Sequence, residues 1–200
     1  MGYRDGQLQL LAAAKHESVP KNSENPELYA VFPFKLFGIG HQELEMAQRT
    51  FTKRVFPDTG GWRQDAIQAA YLGLTESAAF YVTKNFTEGS FPQARFKGFK
   101  GPNYDWVPDF DHSSVAQIAL QSMLVQTVGT RIYLFPAWPE GRWNVSFRLH
   151  LAQQTEIECE LKDGEIVKLE ISPPSRRRDI VILLNKNKSR AAELPVAFPR

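Results

Sequence analysis

The apolar residues of this 200-residue chain change their spacing near Arg131. Upstream they recur every three or four positions, as one face of an α-helix demands, and downstream they alternate, as one face of a β-strand demands. Any fold must therefore join a helical part to a β part.

The helical signals start at Asn25-Pro26-Glu27, with Asn placed to cap and Pro in the first turn. Pro33 breaks LYAVFPFKLFGIG before Gly38 and Gly40 stop it. HQELEMAQRTFTKR sets Leu44, Ala47 and Phe51 at helical spacing, acids early and bases late, the order a helix dipole favours. After the turn Pro57-Asp58-Thr59-Gly60-Gly61, WRQDAIQAAYLGL carries Trp62, Ala66, Ala69, Ala70 and Leu72. Thr75 is placed to cap a further helix striped by Ala78, Ala79, Val82 and Phe86. A long connection, from about 87 to 112, leads to Ser114-Val115-Ala116-Gln117, which has the form of a capping box and opens the apolar helix SVAQIALQSMLVQ.

RIYLFPAWP, NVSFRLHL, TEIECELK, GEIVKLEI and DIVILL read as strands, and Asp163-Gly164 between two alternating runs marks a hairpin. In TEIECELK the residues Ile157, Cys159 and Leu161 share one face and Glu156, Glu158 and Glu160 the other. Cys159 is thus expected to pack inward as a small hydrophobe. The final segment, 185–200, reads as a polar tail without order.

Composition removes several classes of function. A formal charge of +2 leaves no electrostatic footprint for nucleic acid, and Arg176-Arg177-Arg178 reads as a solvated turn. One cysteine excludes an internal disulfide, and no apolar run approaches the ~20 residues of a membrane span. The start, MGYRDGQLQLLAAAKHE, lacks the pattern of a signal peptide. Asp109 and Asp111 begin like a calcium loop, but Ser114 and Leu120 stand where Gly and Glu are required. His16, His41, His112 and His150 are scattered, and no phosphate loop or nucleophile elbow is present. No metal and no cofactor is expected.

What remains is the stretch NYDWVPDFDHSS, residues 103–114, which crowds Asp105, Asp109, Asp111 and His112 beside Tyr104, Trp106 and Phe110. Sugars present hydroxyls to carboxylates and C–H faces to aromatic rings, so such a mixture suits a carbohydrate subsite. An inverting glycosidase further needs an ionised carboxylate that activates water, with a protonated one about 6.5–9.5 Å away. Asp111, just ahead of the predicted helix, has the dipole and free N–H groups that favour a charged base. Residue type alone equally allows Asp111 to be a plain helix cap, Asp105 and Asp109 to be solvated, and Trp62, Trp106 and Trp138 to be packing residues. Arg63 and Asp65 are open to the same two readings, substrate contact or mutual pair.

The series NPELYAVFPFKLFGIG, GGWRQDAIQAAYLGL, NYDWVPDFDHSS, IALQSMLVQ and LFPAWP resembles the C-terminal portion of the family-95 glycoside hydrolases, the α-L-fucosidase family, over roughly residues 20 to 184. The resemblance implies a mainly α fold with a C-terminal β domain. The expected architecture is a partial (α/α)6 barrel of helical hairpins over residues 1–130, then a small antiparallel β-sheet or sandwich over 131–184. In that family an Asp a dozen residues before a Met-Leu-Leu-Gln-like run is the general base. Met123-Leu124-Val125-Gln126 is similar to that run, and counting back reaches Asp111.

The resemblance thus implies an inverting exo-glycoside hydrolase acting on α-L-fucosides or related glycosides, with Asp111 catalytic. Its substrate contacts are expected from Trp106, Tyr104, Asp105, Asp109, His112, Trp62 and Arg63. The family's general acid lies in an upstream region outside this chain, so the missing N-terminal part is the expected partner and the chain by itself is expected to be inactive. A periplasmic or secreted location follows if the full-length protein behaves as the family does. Around the base the pattern departs, with Phe110-Asp111-His112-Ser113-Ser114 in place of an Ile-Asp-Gly-Asn-Phe-Gly-like sequence. Two other readings stand beside this one: a noncatalytic carbohydrate-binding or scaffold protein, and a helical-repeat interaction module.

Overall fold

The computed structural model describes residues 1–4, 6–10, 24–57, 63–87 and 110–184, with residues 4 and 110–113 described by backbone alone. Among these are four α-helices, α1 (Leu44–Thr52), α2 (Asp65–Tyr71), α3 (Thr75–Thr87) and α4 (Phe110–Leu124), and two 3-10 turns, Pro26–Ala30 and Pro174–Asp179. Eight strands run β1 (Gly2–Arg4), β2 (Gln7–Gln9), β3 (Val125–Val128), β4 (Arg131–Leu134), β5 (Val145–Leu151), β6 (Thr155–Lys162), β7 (Glu165–Ser172) and β8 (Ile180–Ile182).

The strands form three small sheets: the hairpin β1-β2, the sheet β3-β4-β8 and the meander β5-β6-β7. This overturns the expectation of a mainly α chain built as part of an (α/α)6 barrel. The reason lies in what each helix packs on. α1 does not pair with α2 as a barrel hairpin would; its main neighbours are β2 and the Pro26–Ala30 turn. Arg49 donates to the Leu8 carbonyl, and the Leu10 amide donates to the Thr50 hydroxyl at 2.9 Å. The chain leaves α4 directly into β3, so a helix expected to continue a barrel instead opens a mixed helix and sheet unit.

The sheet β3-β4-β8 is itself mixed. β3 and β4 are antiparallel through the turn at Gly129, whereas β8 returns from the far end of the β5-β6-β7 meander to lie parallel to β4, pairing Ile132 with Ile180. In the meander, Asp163 (φ 50°) and Gly164 (φ 84°) both take left-handed backbone, the conformation that a two-residue hairpin turn of the expected kind requires. Ile157, Cys159 and Leu161 are wholly buried on one face of β6. On the other face Arg148 reaches Glu156 at 2.5 Å and Lys168 reaches Glu158 at 2.5 Å. The alternation read from the sequence thus becomes an apolar inner face and a charged ladder.

One continuous apolar core joins these parts, running through Leu28 and Val31, Met46 and Phe51, Ile67 and Leu72, Val82, Ala119 and Met123, Leu134 and Phe135, to Ile157 and Leu161. Trp138 belongs to it, 3% exposed, with its indole N–H on the Trp143 carbonyl. Two local expectations change. Asn25 makes no cap; its amide pairs with the backbone of Phe56 in both directions at 3.1 Å, pinning the Pro26–Ala30 turn to the end of α1. Arg176 is not solvated either, since it is buried with Nε on the Thr155 hydroxyl at 3.0 Å and Nη1 on Asp179 at 2.6 Å.

Candidate functional site

The N-terminal end of α2 gathers the charged groups of the helical half. Arg54, just beyond α1, donates Nε–H to Asp65 Oδ1 at 2.6 Å, with the two side chains 4% and 3% exposed. Its two other nitrogens are spent on the Phe51 carbonyl and the Tyr81 hydroxyl, each at 2.5 Å, and its plane lies 3.7 Å from the Phe51 ring centroid. Every arm of the fork is therefore satisfied, which is what allows a guanidinium to remain buried. Burial pushes the Asp65 carboxyl up from its ordinary value, while Arg54 and then Arg63 pull it back.

Arg63 completes the cluster from the loop ahead of α2. Its Nη2 donates to the Phe56 carbonyl at 2.5 Å. Its Nε stands 3.6 Å from Asp65 Oδ2, close enough for charge attraction and too far for a hydrogen bond, so that buried N–H has no acceptor. The neighbouring Gln64 likewise has its Oε1 buried and without a donor.

Both residues line a shallow depression whose other walls are Glu24, Asn25, Tyr29, Asp65 and Gln68. Tyr29 donates its hydroxyl to Glu24 Oε2 at 2.5 Å, and its own proton is held up to about 12 by burial and by that carboxylate. Two stretches thirty-odd residues apart, 24–29 and 63–68, thus meet around one polar hollow.

α4 is joined to the other end of α2. Gln126 Nε2 donates to the carbonyls of Ala70 and Ser122, both at 2.8 Å, so the C-terminal ends of α2 and α4 lie side by side. α2 is the helix that α4 packs on most extensively. Asp111 and His112 occupy the first turn of α4, which begins at Phe110, four residues ahead of the Ser114 expected to open it. Asp111 is consequently inside the helix, not ahead of it.

Of the expected substrate contacts, Arg63 is in the hollow. Trp62, Tyr104, Asp105, Trp106 and Asp109 lie outside the described residues, as does the 185–200 tail, and of Asp111 and His112 only the backbone is described. Sequence reading singled out neither Gln64 nor Gln68, and it gave Asp65 only Arg63 as partner, not Arg54. Among the described residues no three His, Cys, Asp or Glu side chains gather as a metal site, and no helix is long and apolar enough to cross a membrane. Compared with known proteins, the chain matches no family model and no curated sequence.

Proposed function

We propose that this chain contributes part of the active site of an inverting exo-glycoside hydrolase acting on α-L-fucosides or related glycosides. Asp111 is the general base, Arg63 and the polar hollow hold the sugar, and the general acid comes from a part of the protein outside these residues. What supports the reading is that Arg63 lines a polar hollow at the start of α2 and that α4, whose first turn carries Asp111, packs on α2 more than on any other helix. A carboxylate in a helix's first turn keeps its charge through the dipole and the free N–H groups there, as activation of water requires.

The experiment is hydrolysis of aryl α-L-fucosides and related aryl glycosides by the full-length protein, followed by proton NMR. Inversion predicts that the first sugar released carries the opposite anomeric configuration to the substrate. Release with retention, or no hydrolysis of any glycoside, rejects the reading.

A noncatalytic carbohydrate-binding role is the second reading, and one observation favours it. Asp65 is committed to Arg54, and Glu24 gives one oxygen to Tyr29, so the hollow is furnished for recognition and not for proton transfer. Sugar binding by the full-length protein without any product would select it.

A further inference from the structure

Resting on the carbohydrate reading, we infer that the hollow is a specificity site that takes hydroxyl groups of a neutral sugar and rejects acidic sugars, with Arg63 and Gln64 making the selection. The observation is a matched pair of buried atoms without partners, the donor Arg63 Nε and the acceptor Gln64 Oε1, on neighbouring residues that both line the depression. A buried donor and a buried acceptor left open are each unfavourable, and native interiors rarely leave either so. A hydroxyl answers both, because it accepts through a lone pair and donates through its proton. A carboxylate or sulfate answers only the donor, since it has no proton to give Gln64.

Charge points the same way. Among the described residues the charged groups lining the hollow are Glu24, Asp65 and Arg63, with Tyr29 keeping its proton, and the other cation at Asp65 is Arg54, bonded to it at 2.6 Å. Two acids and two bases balance, so a neutral guest leaves the site neutral whereas an anionic guest adds an uncompensated charge beside Glu24. Arg63 cannot turn fully to an anion, because its Nη2 is held by the Phe56 carbonyl and its Nε already leans toward Asp65. The hollow is also small, with room for about one water-sized group, so it admits a single hydroxyl and leaves the ring outside.

The test is calorimetric or NMR titration of the full-length protein with matched pairs, methyl glucoside against methyl glucuronide and methyl galactoside against methyl galacturonide. The neutral member of at least one pair is expected to bind tighter by about tenfold or more. Gln64→Leu, checked by its thermal melt, should weaken neutral binding by about tenfold and narrow that gap. Should the Leu variant not fold, Gln64→Glu serves, and it should widen the discrimination against the uronide at least about threefold by like-charge repulsion. Equal binding of both members, or preference for the uronide, overturns this inference and leaves the carbohydrate reading standing. Binding of no member of either pair, and of no methyl α-L-fucoside, overturns both.

Discussion

Arg54 and Asp65, eleven residues apart, form an almost wholly buried ion pair at 2.6 Å that ties the end of α1 to the start of α2. Because Arg54 also bonds to Tyr81 on α3, one side chain fixes three helices. Removing it strands a carboxylate in the interior. Arg54→Met is therefore expected to cost about 3–5 kcal/mol in urea unfolding, and Arg54→Met with Asp65→Leu to recover most of that loss. If the double variant is no more stable than the single one, the pair is not what holds this junction.

Gly40 is the second structural test. Its φ is 80°, and a Cβ there would stand 2.7 Å from the buried ring of Tyr133. Gly40→Ala is expected to destabilise by about 2–4 kcal/mol, backbone strain and overlap acting together. At Gly129, φ 58°, nothing lies within 4 Å of an added Cβ, so Gly129→Ala should cost only about 1 kcal/mol. Equal losses at the two positions would show that the packing of Gly40 on Tyr133 is wrong.

Cys159 tests the inner face of the meander. Burial pushes its thiol from 9.0 up to about 11. The native protein therefore resists a thiol reagent at pH 8 under conditions where the urea-unfolded chain reacts fully. The sign of the pH dependence follows. Between 9 and 11 the unfolded thiol loses its proton before the native one, so stability falls as pH rises through that window, by about 2–3 kcal/mol at full extent from this group. Immediate labelling of the native protein would place Cys159 at the surface.

Much of this architecture was readable because it depends on local period. α1 and α3 repeat apolar residues at helical spacing, and the alternation in TEIECELK predicted the buried face of Ile157, Cys159 and Leu161. Asp163-Gly164 fixed a hairpin through backbone conformation alone. What was not readable is set by distance in the chain. β1 and β2 are three residues each, β2 packing on α1 and β1 on β2, so GYR and QLQ carry no pattern of their own. Val125 and Gln126 were read as the end of α4, since a short apolar run has no decisive period, and pairing with β4 makes VQTV a strand.

The barrel expectation came from the order of segments that resemble a family, and the order of segments does not determine what each helix packs against. The site divides in the same way. Arg63 could be chosen from its neighbours Gly61 and Trp62, but Glu24, Tyr29 and Gln64 become a group only when 24–29 folds onto 63–68. Arg176 was read as solvated because charge runs usually are, and Thr155 and Asp179 override that habit.

Asp111 decides the enzymatic claim. The measurement is steady-state hydrolysis of an activated aryl glycoside by the full-length protein, comparing wild type with Asp111→Asn. If the carboxylate activates water, kcat falls by about 10² or more while KM changes little, because the amide keeps the shape and loses the basicity. An unchanged kcat in a correctly folded Asp111→Asn protein would contradict the assignment and leave position 111 a helix residue without chemistry.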